Sequence, residues 1–233
     1  MNSLSNKCHI DHLFSSISIL DEHEKDDLEQ LGLSDFVDES SFREKIEQII
    51  DNKRDEKRVK DLIVELLVAR EFLKLKNLSL ISFEENPDII VTVKDKEYGV
   101  EVKRFRDRDQ DIEDDKKLKE DDSSTLVAYG DPAAVQGQVE RMIRKAVKKH
   151  HKSYTLFVYL WSDSPYQVES PEMEFAAKAV LKESGCEFLA GVFYKSVWCE
   201  IESGCSEKLV CADKKLAEKI SPYSTERCLV YPS

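Results

Sequence analysis

Two carboxylates and a lysine stand at spacings that bring them together. They lie in Pro87-Asp88-Ile89-Ile90-Val91-Thr92-Val93 and in Gly99-Val100-Glu101-Val102-Lys103-Arg104. Successive side chains of a strand alternate between faces, so Glu101 and Lys103 share one face while Val100 and Val102 turn to the other, into a core. Asp88 opens the partner strand and leans toward the face of Glu101. Two carboxylates this close repel and call for a counter-ion. A hard divalent cation with oxygen ligands, typically Mg²⁺, meets that need and keeps waters of its own. Lys103 beside it can orient or deprotonate an attacking water. On the polar face of its strand, Lys103 is expected to bury little apolar area.

The elements that must position these groups are legible in the hydrophobic pattern. Val59, Leu62, Ile63, Leu66, Leu67 and Leu73 recur at helical spacing and predict a helix to about Lys76. LSLISFEE, DIIVTV and YGVEVKRF then read as three short strands, the last two joined by the polar KDKE as a hairpin. The apolar-poor FRDRDQDIEDDKKLKEDDSS reads as an exposed loop. Asp131-Pro132 supplies an N-cap followed by Pro at N1, for a helix to about His150. TLFVYLW is a continuous apolar run, the mark of a strand buried on both faces. Residues 172–183 predict a helix ended by Gly185, and LAGVFYKSVWCEI a strand or strand pair; from Glu202 onward the chain reads as irregular. The order implies an α/β fold, a mixed central sheet flanked by helices, with one hairpin and at least one crossover. Before it, Leu13, Ile17 and Leu20 suit a short helix, and Phe42, Ile46, Ile49 and Ile50 a second, with Ser40 or Ser41 as N-cap. Residues 1–57 are expected to form an acidic helical extension, serving as lid, partner-binding arm or packing, and residues 58–233 the main domain.

The pattern PD, twelve residues, then E-V-K, with apolar strands on both sides, resembles the PD-(D/E)XK nuclease superfamily, the restriction-endonuclease-like fold. The resemblance covers about residues 58–162. It implies a metal-dependent nuclease acting on DNA phosphodiester bonds. Asp88 and Glu101, with the carbonyl of Val102, would hold Mg²⁺, Mn²⁺ being able to substitute, and Lys103 would position the water. The helix before the first strand contributes an acidic residue in that family. Glu65 sits where it would, among Leu62, Val68 and Ala69 on the buried edge, and would help hold a second metal or a water in the outer shell; Glu71 is the second choice. By the same resemblance Gln136 or Gln138 would face the metal site. A catalytically inactive nucleic-acid-binding or assembly module on the same fold is the alternative, and a non-nuclease α/β protein docking a partner through its acidic helices is a third reading.

A basic stripe adds an independent indication of nucleic acid. Arg141, Arg144, Lys145, Lys148, Lys149 and Lys152 fall on one helical face, beside an apolar stripe of Val139, Met142, Ile143 and Ala146. In a chain of net charge −12 such segregation suggests a surface that tracks phosphates. A solvated helix face is the plainer reading. Lys103, Arg104, Arg106 and Arg108 offer an alternative path. A homodimer, or a partner held by the N-terminal segment, is a further expectation.

Other classes score lower. The 233 residues are 41% hydrophobic and 35% charged, which excludes collagen-like and low-complexity chains. No run approaches a membrane span and no secretory signal is visible, so a cytoplasmic setting with six reduced cysteines is expected. Cys8, His9 and His12 form a weak metal cluster at the N-terminus. Cys199, Cys205 and Cys211 lack the tight C-x-x-C spacing of an iron–sulfur site and are expected to be inert thiols. No GxxxxGK[ST], GxSxG or HExxH is present.

Overall fold

A computed structural model describes residues 22–105, 132–149, 154–162, 170–183, 186, 188–196, 207–211, 213–223 and 227–230. Among the described residues three helices come first: α1 (Glu22–Gly32), α2 (Glu39–Asp51) and α3 (Glu56–Phe72). Strands β1 (Leu78–Phe83), β2 (Ile89–Val93) and β3 (Lys96–Phe105) follow, then α4 (Pro132–Lys149), β4 (Thr155–Ser162), α5 (Ser170–Leu181) and β5 (Leu189–Ser196). The chain ends on β6 (Glu207–Cys211), α6 (Lys214–Ile220) and β7 (Cys228–Val230). The seven strands form one mixed sheet in chain order, parallel at β3–β4, β4–β5 and β6–β7 and antiparallel elsewhere. The expected α/β class with a mixed sheet is therefore present.

The sheet separates two cores. On one side Val100, Val102, Phe157, Tyr159 and Phe193 pack against α1, α2 and α3. On the other, Phe105, Leu156, Val158, Leu160 and Val192 pack against α4 and α5. Central strand β4 feeds both in alternation, which is why its sequence is apolar throughout. Helices α1 and α2 share the first core through Leu28, Leu31, Phe42, Ile46 and Ile49. The chain before α2 also runs along the outer edge of β1. The Ile81 amide donates to the Phe36 carbonyl at 2.6 Å, and the Asp38 amide donates to the Ile81 carbonyl at 2.8 Å. That pairing covers part of an edge that would otherwise present open backbone groups.

Local chemistry explains the boundaries. Helix α2 is capped by Asp38, whose carboxylate accepts from the Ser41 amide at 2.8 Å, and not by Ser40 or Ser41. Ser41 instead accepts from the Phe83 amide at 3.1 Å, tying α2 to β1. Asp55 caps α3 in the same way as Asp38 caps α2. The tail from Glu202, expected to be irregular, contains β6, α6 and β7. Each is short, and β6 owes its strand form to antiparallel pairing with β5. Leu13, Ile17, Leu20, the loop after Phe105, Asp131 and Gly185 lie outside the described residues.

The β2–β3 hairpin turns on Lys94 and Asp95, both at positive φ (49° and 63°), as a type I′ turn requires. Neither residue is favoured there. The double substitution Lys94→Asn with Asp95→Gly is expected to raise stability by about 0.5–1 kcal/mol, read as a higher urea midpoint at unchanged slope.

Candidate active site

The hairpin register brings the motif together. Ile89 pairs with Val100 across β2 and β3, and one further step places Asp88 opposite Glu101. Asp88 Oδ2 accepts from the Val102 amide at 2.8 Å, which fixes the carboxylate at the mouth of the hairpin. Glu101 is fully buried. Lys103 Nζ donates to Glu101 Oε1 and, at 3.1 Å, to the Val102 carbonyl. The ammonium thus sits against Glu101 Oε1 and the Val102 carbonyl, the two oxygens of β3 that the resemblance would give to a cation.

Close packing holds this arrangement. Pro87 lies over Gly99, so a Cβ on residue 99 would stand 2.7 Å from Pro87 Cγ and 3.3 Å from Tyr154 Cβ. A side chain there must displace the ring of Pro87, the residue next to Asp88. Gly99→Ala is expected to cost about 1–3 kcal/mol of stability. It should also reduce divalent-cation affinity, which a calorimetric titration checks.

Glu65 comes from the middle of α3, and its side chain is 8% exposed. Burial, the first cause, and then the charges of Glu65 and Glu101 push the Asp88 carboxyl up to about 7; Lys103 and the Val102 amide act in the opposite direction. Glu65, Asp88 and Glu101 thus interact, although they come from three different elements. Glu71, the second choice on α3, is engaged elsewhere. It accepts from Lys195 at 2.8 Å and pairs with Lys74, and these cations hold its carboxyl below the usual range despite burial.

The donor set fits a hard cation, being two carboxylates and a backbone carbonyl. Acid groups under mutual repulsion gain from a positive charge between them. Among the described residues no cluster of three or more His, Cys, Asp or Glu side chains is arranged to hold a metal. Mg²⁺ at this set would accordingly retain several of its own waters.

The basic stripe on α4 divides. Arg141, Lys145 and Lys148 are exposed. Arg144 is committed within the protein: its Nη2 donates to Glu183 Oε1 at 2.6 Å and to Glu140 Oε2 at 2.9 Å. Lys149 Nζ lies 3.4 Å from Glu101 Oε1, so it reaches the carboxylate site itself, and no sequence spacing indicated this. Gln136 Nε2 donates to Glu140 at 2.9 Å, one turn along its own helix, and Gln138 is half-buried on the same helix. Lys152 lies outside the described residues, as do Cys8, His9, His12, Arg106, Arg108, Cys199 and Cys205.

One buried charge beside this cluster was not anticipated from the sequence. Lys45 of α2 is buried and donates to Glu65 Oε2 at 2.7 Å. Its signal was its position on the apolar stripe, three residues after Phe42 and four before Ile49. Of the described cysteines Cys186 and Cys211 are buried and Cys228 is half-buried, and burial pushes the Cys211 thiol up to about 11. Among the described residues no helix is long and apolar enough to cross a membrane. No family model, curated protein or solved structure matches the chain.

Proposed function

We propose that the protein is a metal-dependent nuclease of the PD-(D/E)XK type, hydrolysing DNA phosphodiester bonds. The observation that carries this reading is the cluster at the hairpin mouth. Asp88 is held by the Val102 amide opposite buried Glu101, with Lys103 Nζ on both Glu101 and the Val102 carbonyl. Asp88, Glu101 and the Val102 carbonyl would hold Mg²⁺, which supplies Lewis-acid stabilisation of the developing phosphate charge and lowers the pKa of water. Lys103, an ammonium in this arrangement, orients the attacking water by hydrogen bonding and offers positive charge to the developing phosphate oxyanion. The Val102 amide and the register of β2 against β3 keep the carboxylates in place, and the core beneath Val100 and Val102 makes the strand rigid.

Cleavage of supercoiled plasmid in Mg²⁺, abolished by a chelator, is the direct test. No cleavage of duplex, branched or single-stranded DNA in Mg²⁺ or Mn²⁺ would sink the enzymatic reading.

Exposed Arg141, Lys145 and Lys148 also support DNA binding that does not depend on catalysis. Changing all three to Gln is expected to flatten the dependence of log affinity on log salt by roughly 0.7–0.9 per lost phosphate contact. Filter binding from low to moderate salt reads this. An unchanged slope means that the stripe is only a solvated face. Binding that flattens in the triple variant, with no cleavage by the wild type, would favour the inactive module.

A further inference from the structure

The cluster contains a cation that lies outside the segment carrying the nuclease resemblance. Lys45 stands on α2, and its side chain is 6% exposed. Its Nζ donates to Glu65 Oε2 at 2.7 Å and lies 5.9 Å from the centre of the Phe83 ring. The helix that carries it cannot swing away cheaply. Phe42, Ile46 and Ile49 are at most 5% exposed, and Ser41 ties α2 to β1. The ammonium is therefore delivered by the fold as a fixed charge. A buried ion pair of this kind persists only while both partners are present.

We infer that Lys45 is a positioning residue of this site. It occupies Glu65, so that a single divalent ion is held by Asp88, Glu101 and the Val102 carbonyl while Glu65 faces Asp88 as a charge and not as a ligand. This inference rests on the nuclease reading. Charge and space support it. Glu65, Asp88 and Glu101 already face Lys45 and Lys103, and Lys149 stands 3.4 Å from Glu101. A second divalent ion on Glu65 would have to displace a buried ammonium that already bonds Glu65 Oε2 at 2.7 Å. Helix α2 is then part of the catalytic architecture, because it sets the state of the acid that α3 presents.

Two measurements on the full chain test it. Calorimetric titration with Mn²⁺ is expected to give one ion per chain for the wild type. Glu65→Gln should still bind one ion, weakened by about 10–100-fold, as for a group acting through a ligand. Asp88→Asn should lose binding. Two ions in the wild type, or loss of binding in Glu65→Gln equal to that in Asp88→Asn, would overturn the inference. Thermal unfolding supplies a readout independent of metal and activity. Lys45→Met is expected to lower the midpoint by about 10 °C or more, and Lys45→Met with Glu65→Gln to recover at least half of that loss. Lys45→Arg should remain close to wild type. Should Lys45→Met fail to fold, a folded double variant gives the same support. A double variant no more stable than the single one overturns the pairing. Absence of any Mn²⁺ binding in the wild type refutes the nuclease reading and the one-ion statement with it. The unfolding cycle then still decides whether Lys45 holds Glu65.

Discussion

Lys103→Ala is expected to lower Mg²⁺-dependent plasmid cleavage by about 10²–10³-fold, the range lost when a preorganised hydrogen-bond donor is removed. Substrate affinity should change far less, because the exposed cations of α4 lie on another element. The structure also alters what the variant does to stability. The position on a polar strand face suggested that Lys103 buries little and could be removed without cost. In the fold its ammonium contacts a fully buried carboxylate, Glu101. Removing it weakens the compensation of that charge and should cost about 1–3 kcal/mol in metal-free buffer. Mg²⁺ should restore much of the loss while activity stays absent. Cleavage is to be measured well below the midpoint of the variant, so that lost chemistry is not confused with lost fold. Turnover equal to wild type in folded Lys103→Ala protein would sink the assigned role.

Asp88→Asn is expected to stabilise the metal-free protein at pH 8 and to abolish divalent binding. The sign follows from the direction of the shift. The Asp88 carboxyl sits at about 7 in the fold, against about 4 in an unfolded chain, so the native state favours the protonated form. Below pH 4 both states hold the proton and no penalty arises. Between pH 4 and pH 7 the unfolded state releases it first, and stability falls. Above pH 7 the native state carries the full cost, about 2–4 kcal/mol. Asparagine keeps an oxygen for the Val102 amide and removes the charge. The stabilisation should thus be present at pH 8 and vanish near pH 4, as urea unfolding at pH 4, 6 and 8 can show. Millimolar Mg²⁺ should raise the wild-type midpoint and leave that of Asp88→Asn unchanged. A variant less stable than wild type at pH 8 would mean that the Asp88 carboxylate is already compensated.

The sequence by itself determined the elements whose signals are local. Alternation along YGVEVKRF placed Glu101 and Lys103 on one face, and the helical periodicity before it placed Glu65 on a buried edge. The continuous apolar run at Thr155–Ser162 marked a strand buried on both faces, and that strand feeds both cores. Elements of weak local signal were not legible. Strand β6 has three buried residues, and β7 has three residues in all; both form because neighbouring strands offer a ladder. The charges show the same division. Spacing along α4 put Arg144 and Lys149 in a common stripe with Lys145 and Lys148. Only the packing of α4 against neighbouring elements sent Arg144 to Glu183 and Lys149 toward Glu101. Lys45 marks the limit of one-dimensional reading. Its place on an apolar stripe was visible, but its partner lies 20 residues away on another helix. Ion pairing depends on distance in space, which periodicity along one element does not contain. Docking α2 and α3 in a common core, with β2 registered against β3, brings Lys45, Glu65, Asp88, Glu101 and Lys103 into one electrostatic cluster.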